Sequence, residues 1–469
     1  MNVTKATIKK QFKKSEKAFL FCWEILSDLK NKDFTKGDFG TNLLIFQDKL
    51  AEEIFELSSI REKIIAQEKK FVQNKQKYKL KWFESRMRLL SHYKRGVENV
   101  SNIAKSLGDA YAFFFYQFDL ELLEEHSHHQ RIVNSNAGIG EIGELEFIKK
   151  AKNLYGYFTL YHGITNILRH GDYSFINLST RKVAGIGELK SKKTGENTIT
   201  ANLVFIGYKE EDIFKHKTIE DASEPRKNKK AKKLHKQVLA ISKLLADSRT
   251  QETEKMKVNS EFYFEEINSL YKSTKFNSLK SKQVSPGLIF SGLKYKSSGF
   301  FNKLYLRNPT EIVKQKTDDL VELVTKVVKL NSKYNSIISD QVLYSHDFLD
   351  KNIPGTVPLF WQPLDEVLLK KLYFFEYILI SLFNPIHIIE EVEELGFIVE
   401  SKYGDGNKPK KEGPQSIIQR FDRFFPYIIN SLQKEIFIIE SLKSVKNFAS
   451  EKNANIKALI KPQHMVDIF

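Results

Sequence analysis

Three polar side chains in one short segment have the types and spacing that metal-assisted phosphate chemistry uses. Residues 170–177 and 183–191 each predict a β-strand, and a polar turn joins them into a hairpin. Glu188 and Lys190 are two residues apart on the second strand, so their side chains share one of its faces. Asp172 begins the first strand, to which the hairpin returns the end of the second. We therefore expect Asp172, Glu188 and Lys190 to meet at one edge of a sheet.

That arrangement suits a divalent cation. Mg²⁺ prefers oxygen ligands and keeps several waters, so the carboxylates of Asp172 and Glu188, with the backbone carbonyl of Leu189, form a suitable open site for Mg²⁺ or Mn²⁺. Lys190 would orient or deprotonate a metal-bound water and offset charge on the attacked phosphate. The expected chemistry is hydrolysis of a phosphodiester bond. The alternative is a surface hairpin whose Glu188 and Lys190 pair across solvent.

A glycine-flanked helix start precedes the two strands. Residues 140–145 read Gly-Glu-Ile-Gly-Glu-Leu and open a helix predicted over about 141–154. Glu144 lies on that helix, and Glu141, about one turn earlier, is the alternative to it. A Gly-x-x-Gly-Glu helix start, a strand and then Asp…Glu-x-Lys together resemble the PD-(D/E)XK nuclease superfamily. The nuclease-related and Holliday-junction-resolvase-like members are the most similar.

The resemblance covers about residues 135–210, which is less than a fifth of the chain. It implies a small mixed sheet flanked by helices, dependence on Mg²⁺ or Mn²⁺, and DNA as the usual substrate. It also implies that Glu144 joins Asp172 and Glu188 in the metal site. One departure is Gly171, which stands where the family pattern has Pro before the Asp. The flanking helical parts match no family pattern.

Two other patterns indicate different ligands. Gly138, Gly140 and Gly143 match the dinucleotide fingerprint, but that motif requires a preceding strand, which the sequence does not predict. Residues 124–129 hold two Glu and three His, which are suitable ligands for a transition metal. Adjacent residues of a helix point to different faces, so a solvated helix end is favoured there. His170 is either a phosphate contact or a turn residue.

The composition favours a polyanionic partner. The chain of 469 residues has 75 Lys and Arg against 58 Asp and Glu, a formal net charge of +17. Basic side chains near phosphates release condensed counterions, so nucleic acid is the expected partner, with DNA favoured. A basic composition without any binding role is the alternative. Hydrophobic residues make up 41%, which is enough for folded cores and excludes global disorder.

The sequence predicts a cytoplasmic protein with no membrane segment. Cys22 is the single cysteine, so no intrachain disulfide is expected. The apolar stretch 18–26 contains Glu24 and follows a long charged segment, unlike a secretion signal. The most apolar run, 372–389, is interrupted by Glu376, and its longest uncharged piece, 377–389, has 13 residues. A membrane helix needs about 20 apolar residues, so the run predicts a buried core helix.

The predicted fold class is α+β and predominantly α-helical. Four regions are expected: a helical, coiled-coil-like hairpin arm over 1–133, a nuclease-like core over 134–225, a basic linker and irregular region over 226–306, and a helical domain over 307–469. Strands in the core are predicted at 157–161, 173–178, 182–190 and 198–208. Helices in the last region are predicted from 308 to about 344 and at 364–383, 386–396 and 415–448.

The predicted function is a metal-dependent nuclease. Nucleases of this class on unfamiliar helical scaffolds resemble bacterial anti-phage defence effectors, which is the wider role expected. The helical regions would position substrate, form homo-oligomers or bind a partner protein. The first alternative is a non-catalytic basic helical scaffold that binds nucleic acid or a partner protein and carries a degenerate nuclease fold. The second is a structural assembly protein that self-associates through residues 40–125.

Overall fold

The chain forms two compact units, Met1–Glu252 and Thr253–Phe469. The structure is a computed structural model. It describes residues 2–31, 39–117, 122–123, 126, 139–150, 153–154, 156–180, 182–193, 199–207, 261–294, 344–345, 357–374, 376–400, 416–419, 428 and 432–452. Helices and strands occur in both units and helix predominates among these residues, which confirms the predicted mostly helical α+β class. The basic stretch 226–236 and most of the helix predicted over 308–344 lie outside them.

Three long helices open the first unit: α1 (Lys5–Lys30), α2 (Phe39–Gln73) and α3 (Leu80–Phe115). Helix α1 begins where the Thr4 side chain accepts a hydrogen bond from the backbone N–H of Thr7, which is the usual N-cap arrangement. A short 3-10 turn at Lys75–Lys77 joins α2 and α3 into the predicted hairpin. Helix α1 packs on both of them. The expected two-helix arm is therefore a three-helix bundle.

Polar contacts fix α1 against α2 around one buried carboxylate. Glu53 of α2 is 2% exposed and accepts hydrogen bonds from Ser15 at 2.7 Å and from Gln11 at 2.9 Å. Lys14 of α1 contacts the same carboxylate at 3.3 Å and supplies the opposite charge. Apolar residues recur at three- and four-residue steps along α2, and six of them are buried in the bundle: Phe46, Leu50, Ile54, Leu57, Ile60 and Ile64.

An antiparallel sheet follows the bundle. Helix α4 (Ile139–Lys150) leads into β1 (Asn153–Leu154), β2 (Tyr157–Tyr161), β3 (Tyr173–Asn177), β4 (Lys182–Lys193) and β5 (Ile199–Gly207). The strands pair in chain order, each antiparallel to the next. The predicted helix and four predicted strands lie within a few residues of these bounds. The mixed sheet that the resemblance implied is not found among these five strands, because short connections join them and a parallel pair needs a long crossover.

The bundle and this sheet share one core. Phe115 of α3 stacks on Phe158 of β2, with ring centroids 4.5 Å apart. Gln47 of α2 accepts a hydrogen bond from the backbone N–H of Tyr161 at 2.9 Å and donates to the carbonyl of Thr159 at 3.0 Å. The sequence placed a boundary at 133–134, whereas these contacts join the helices and the sheet in a single unit.

The second unit holds a four-stranded sheet with helices beside it. Its elements are α5 (Phe264–Ser273), β6 (Leu279–Ser285), β7 (Leu288–Lys294), β8 (Tyr344–Ser345), α6 (Glu366–Tyr373), β9 (Tyr377–Phe383), α7 (Ile386–Glu394), β10 (Phe397–Glu400), β11 (Ser416–Gln419) and α8 (Ile436–Lys452). The main sheet has the order β6-β7-β9-β8 and is antiparallel. Strands β10 and β11 pair in parallel.

Strand β9 corrects the prediction of a wholly helical C-terminal half. A helix was expected over 364–383 and a core helix over 372–389, yet every residue of Tyr377–Phe383 is buried in a strand between β7 and β8. A continuous apolar run buried on both faces has no alternation, so periodicity does not separate a central strand from a buried helix. The prediction over 415–448 was likewise wrong at β11, whereas α7 and α8 agree with predicted helices. No helix in the described part of the chain is long and apolar enough to cross a membrane.

Candidate active site

Asp172 lies directly before β3, where that strand meets β4. Its Oδ2 accepts a hydrogen bond from the backbone N–H of Leu189 at 2.7 Å. Its own backbone N–H donates to the carbonyl of Gly187, also at 2.7 Å. The carboxylate of Asp172 is therefore bonded to the peptide group that joins Glu188 to Leu189. The hairpin returns β4 to Asp172, as the sequence predicted.

Gly171 shapes the turn that carries Asp172. Its φ is +70°, a backbone conformation that residues with side chains rarely adopt. A Cβ atom there would lie 2.5 Å from Cγ2 of Ile186 and 2.8 Å from the carbonyl oxygen of Gly187. Proline fixes φ near −65° and does not fit this turn. The departure from the family pattern at this position therefore has a local cause.

Glu188 lies inside β4 with its side chain buried at 1% exposure. It pairs with Val204 of β5, and strand alternation places it on the face opposite to Leu189. A buried carboxylate is costly unless hydrogen bonds or a cation offset its charge. The backbone of Lys190 continues β4 and pairs with Asn202, and its side chain lies outside the described residues. The predicted proximity of the Glu188 and Lys190 side chains stays a prediction.

Two tyrosines of the sheet hold Glu144 on α4. The Tyr161 hydroxyl donates to Oε2 of Glu144 at 2.5 Å, and the Tyr173 hydroxyl donates to its backbone carbonyl at 3.1 Å. Tyr161 and Tyr173 are direct partners in the β2–β3 pair, so both side chains lie on the sheet face that receives α4. Sequence analysis missed both tyrosines, because each is an ordinary residue for a strand. The side chain of Glu141, the alternative, is not among those described.

The same tyrosines connect Glu144 electrostatically to Asp172. Burial is the largest effect that raises the pKa of Tyr161 and of Tyr173, and the negative charges of Glu144 and Asp172 raise both values further. The two hydroxyls therefore stay protonated and keep donating. Tyr173 directly follows Asp172 in the chain and its hydroxyl bonds the backbone of Glu144, so this one residue connects two of the predicted site residues.

A buried chain of hydrogen bonds ends at the turn before Asp172. Nδ1 of His162 lies 3.1 Å from the carbonyl oxygen of Gly171, and its Nε2 lies 2.6 Å from Oγ of Ser174. Oγ of Ser174 is 2.5 Å from the hydroxyl of Tyr116, which is 3.2 Å from Nε2 of His126. Both histidines are buried, at 0% exposure for His126 and 1% for His162. The chain thus connects the end of α3 to the Asp172 turn.

The carbonyl of Gly171 fixes the direction of every bond in that chain. A carbonyl only accepts, so the proton of His162 is on Nδ1 and Nε2 accepts from the Ser174 hydroxyl. Ser174 then accepts from Tyr116, which in turn accepts from Nε2–H of His126. Burial is the main effect that lowers the pKa of both histidines, to about 3 for His162, so both rings are neutral near pH 7.

Three histidines meet beside this chain. The ring centroid of His126 lies 5.6 Å from that of His162 and 5.7 Å from that of His170. The sequence favoured a solvated helix end over 124–129, and the burial of His126 overturns that interpretation at this residue. Among the described residues, no group of three or more His, Cys, Asp and Glu side chains is placed to hold a metal ion. The transition-metal alternative therefore gains no support, and Glu144, Asp172 and Glu188 do not form a three-carboxylate cluster in this structure.

The acidic residues nevertheless have the donor chemistry of a hard divalent cation. Glu144, Asp172 and Glu188 offer carboxylate oxygens, and Leu189 offers a backbone carbonyl beside them. Mg²⁺ is usually bound through one or two carboxylates and completes its shell with water and substrate phosphates. A site of that kind does not require three protein ligands in one cluster.

A second polar cluster lies within the second unit, around Glu435. This carboxylate is 7% exposed and accepts hydrogen bonds from Tyr263 at 2.5 Å and from Ser285, while Nε2 of His387 lies 3.5 Å away. Burial by itself raises the pKa of Glu435, but the nearby His387 ring and the hydrogen bonds from Ser285 and Tyr263 outweigh it and hold the pKa below its usual value. The cluster borders an acidic cavity of about 440 Å³ and joins β6 and α7 to the residues directly before α5 and α8.

No protein-family model, curated protein or solved structure matches the chain.

Proposed function

We propose that this protein is a metal-dependent nuclease that hydrolyses phosphodiester bonds, with DNA as its favoured substrate. The observation that carries the proposal is the hydrogen bond from the Leu189 N–H to the Asp172 carboxylate. It places Asp172 beside the strand that carries Glu188 and Lys190, at the start of an antiparallel hairpin. Helix α4 precedes this hairpin and carries Glu144, in the order that the nuclease resemblance implies.

Each residue has a distinct part in this proposal. Asp172 and Glu188, with the carbonyl of Leu189, would hold Mg²⁺ or Mn²⁺, and Glu144 would complete the site. When bound, the ion supplies Lewis acidity at the phosphate and lowers the pKa of water. Lys190 would orient or deprotonate the attacking water. The hydrogen bonds from Tyr161 and Tyr173 keep Glu144 against the sheet, so its position depends on strands rather than on a loop.

The test is cleavage of plasmid and linear DNA by the full chain in Mg²⁺ or Mn²⁺, with EDTA as the metal-free arm. Glu188→Gln and Asp172→Asn each remove one negative charge with little change of shape, and both should abolish cutting. Glu146→Gln is the matched control, because Glu146 is exposed on the same helix as Glu144. Cutting by Asp172→Asn at the parent rate would overturn the catalytic assignment.

The burial of Glu188 favours a second candidate function. A carboxylate at 1% exposure is well suited to a structural role, and the net charge of +17 suits binding without cleavage. In that case the protein is a non-catalytic basic scaffold for nucleic acid or a partner protein. It would bind DNA in a salt-dependent manner that EDTA does not change, and it would cut no substrate in either metal.

A wider role as a cytoplasmic bacterial anti-phage effector belongs to the nuclease proposal. Cells that express the parent chain should then yield fewer phage plaques than cells that express Asp172→Asn. Equal plaque counts, at equal protein levels and with cleavage confirmed in vitro, would remove this role and leave the nuclease activity in place. Light scattering of the purified chain tests the associated proposal of homo-oligomers.

A further inference from the structure

The tip of the α2–α3 hairpin, residues 69–88, is strongly basic and exposed. It contains a single acidic residue, Glu84, and eight basic ones: Lys69, Lys70, Lys75, Lys77, Lys79, Lys81, Arg86 and Arg88. All six lysines are exposed, and the connecting turn Lys75–Lys77 has no buried residue. This segment of 20 residues therefore carries a net charge of +7, a large part of the charge of the whole chain.

Aromatic rings lie among these charges. Tyr78 and Trp82 stack with centroids 4.7 Å apart and planes inclined by 26°. Phe71 meets each of them edge-on at 5.5 Å, and the guanidinium of Arg86 lies over the Phe71 ring at 5.8 Å. Trp82 stays 46% exposed in this arrangement, which is unusual for the largest side chain. The hairpin tip therefore offers an exposed aromatic surface among basic side chains.

We propose that the hairpin tip binds single-stranded nucleic acid, with an unpaired base stacked on Trp82 and phosphates at the surrounding lysines. Stacking on aromatic side chains beside a cationic track is how proteins hold single strands without reading their sequence. Base pairs of a duplex already stack on each other, so the aromatic surface distinguishes a single strand from a duplex. The inference rests on the proposed nuclease function for the role of this strand as substrate, while the binding itself requires no metal.

The order of residues at the hairpin tip argues against a membrane as the partner. The turn itself reads Lys-Gln-Lys and is followed by Tyr78 and Lys79, so charges would enter a bilayer first, which is costly. The exposed apolar Leu80 stands between two lysines in the sequence rather than within a continuous apolar face.

Tryptophan fluorescence tests the proposal directly. The other two tryptophans, Trp23 and Trp361, are 2% and 3% exposed, so Trp82 gives the solvent-accessible emission. With the full chain in EDTA, a 20-nucleotide oligothymidylate should quench this emission, and a duplex of the same length should not. Trp82→Ala should weaken binding of the labelled oligonucleotide about tenfold, and Trp82→Phe should retain most of the affinity. Oligouridylate in a parallel arm distinguishes RNA from DNA.

Charge variants provide the second measurement. The double variant Lys77→Gln, Lys79→Gln should reduce the dependence of log affinity on log salt by about 1.4, which is 0.7 for each lost phosphate contact. Lys13→Gln, on the exposed side of α1, is the matched control and should change neither affinity nor slope. Parent affinity in Trp82→Ala, or quenching by phosphatidylserine vesicles but not by oligothymidylate, would overturn the inference.

Binding in EDTA and cleavage in Mg²⁺ or Mn²⁺ test the hairpin tip and the nuclease proposal independently. A chain that binds the oligonucleotide through Trp82 in EDTA but cuts nothing in Mg²⁺ or Mn²⁺ would retain the binding surface and refute the nuclease. If instead the parent chain cuts DNA and Trp82→Ala binds the oligonucleotide as tightly as the parent, the nuclease proposal stands and the binding surface is refuted. Trp82→Ala loses the ring contacts with Tyr78 and Phe71 and should lower the unfolding temperature, so a thermal melt must show that the variant is still folded at the assay temperature. Trp82→Phe keeps an aromatic ring at this position and is the matched variant.

Discussion

The carboxylate of Asp172 and the backbone N–H of Leu189 share a hydrogen bond of 2.7 Å. Strand β3 begins only at Tyr173, so here a side chain takes the acceptor position that a backbone carbonyl would have in a longer strand. The location of the Asp172 carboxylate therefore depends on the register between β3 and β4. The Asp172 backbone is fixed as well, because its N–H donates to the Gly187 carbonyl and the preceding Gly171 turns the chain against that carbonyl.

Two substitutions of Asp172 should distinguish the effect of its hydrogen bond with Leu189 on stability from the effect of its negative charge on cleavage. Asp172→Asn keeps an oxygen that accepts from Leu189, so the free energy of unfolding should stay within about 1 kcal/mol of the parent value, whereas cleavage should fall to the EDTA level. Asp172→Ala leaves the buried Leu189 N–H without this acceptor and should cost about 1–3 kcal/mol. Urea unfolding and gel assays measure the two effects. Equal stability of the two variants would contradict this structural role.

The two tyrosines at Glu144 should differ in their contribution to stability. Tyr161 donates to a carboxylate, and a hydrogen bond to a charged group contributes about 1.5–3 kcal/mol. Tyr173 donates to a neutral carbonyl, for which about 1 kcal/mol is expected. Tyr161→Phe should therefore unfold at lower urea than Tyr173→Phe. The reverse order would show that the Glu144 carboxylate does not depend on Tyr161.

Asp109 of α3 should make the first unit less stable as pH rises. It is fully buried, and burial raises its pKa to about 7 even though it accepts bonds from Asn166 at 2.7 Å and Ile167 at 3.2 Å. Between its unfolded value of 3.8 and about 7, the folded chain holds a proton that the unfolded chain has lost. Stability therefore falls with rising pH across that window. Asp109→Asn should flatten the curve, as measured by urea unfolding from pH 4 to 8.

His162 should produce the opposite slope. Its pKa falls from 6.5 to about 3 in the folded chain, so between these values the unfolded chain binds a proton that the folded chain does not. The stability from the neutral ring is complete above pH 6.5 and is lost as pH falls towards 3. His162→Gln can still donate to Gly171 and accept from Ser174, yet it does not titrate. If the free energy of unfolding of this variant falls as steeply between pH 6.5 and 3 as that of the parent, His162 is not the group responsible.

In the second unit, Glu435 should stabilise the fold at neutral pH. Its pKa is held low by the nearby His387 ring and by hydrogen bonds from Ser285 and Tyr263, so its contribution is present above the unfolded value of 4.5 and is lost as pH falls through the lower folded value. Glu435→Gln keeps the shape but weakens the bonds from Tyr263 and Ser285, and should cost about 1–3 kcal/mol at pH 7. Glu440→Gln, at the same cavity, is the comparison and should cost less.

Local sequence signals explain why the hairpin could be predicted and the surroundings of Asp172 could not. Glycines and polar turns separate strand-length apolar runs around β3 and β4, so the strands and the position of Asp172 follow from neighbouring residues. The bond between Tyr116 and Ser174 joins residues 58 positions apart and depends on how α3 packs on the sheet. The prediction of a helix at β9 was wrong for a related reason, because the burial of β9 on both faces depends on the whole sheet.

Helix α3 also sets a length scale. Its 36 residues, at about 1.5 Å rise each, span roughly 54 Å from the hairpin tip to Phe115, which stacks against β2. Bases stacked at about 3.4 Å would need about 16 nucleotides to cover that reach. If Trp82 holds one end of a strand while the Asp172 corner acts on the other, short oligonucleotides contact only one of the two at a time. The hairpin would then act as a ruler, and cleavage efficiency would rise steeply once the substrate is long enough to bridge it.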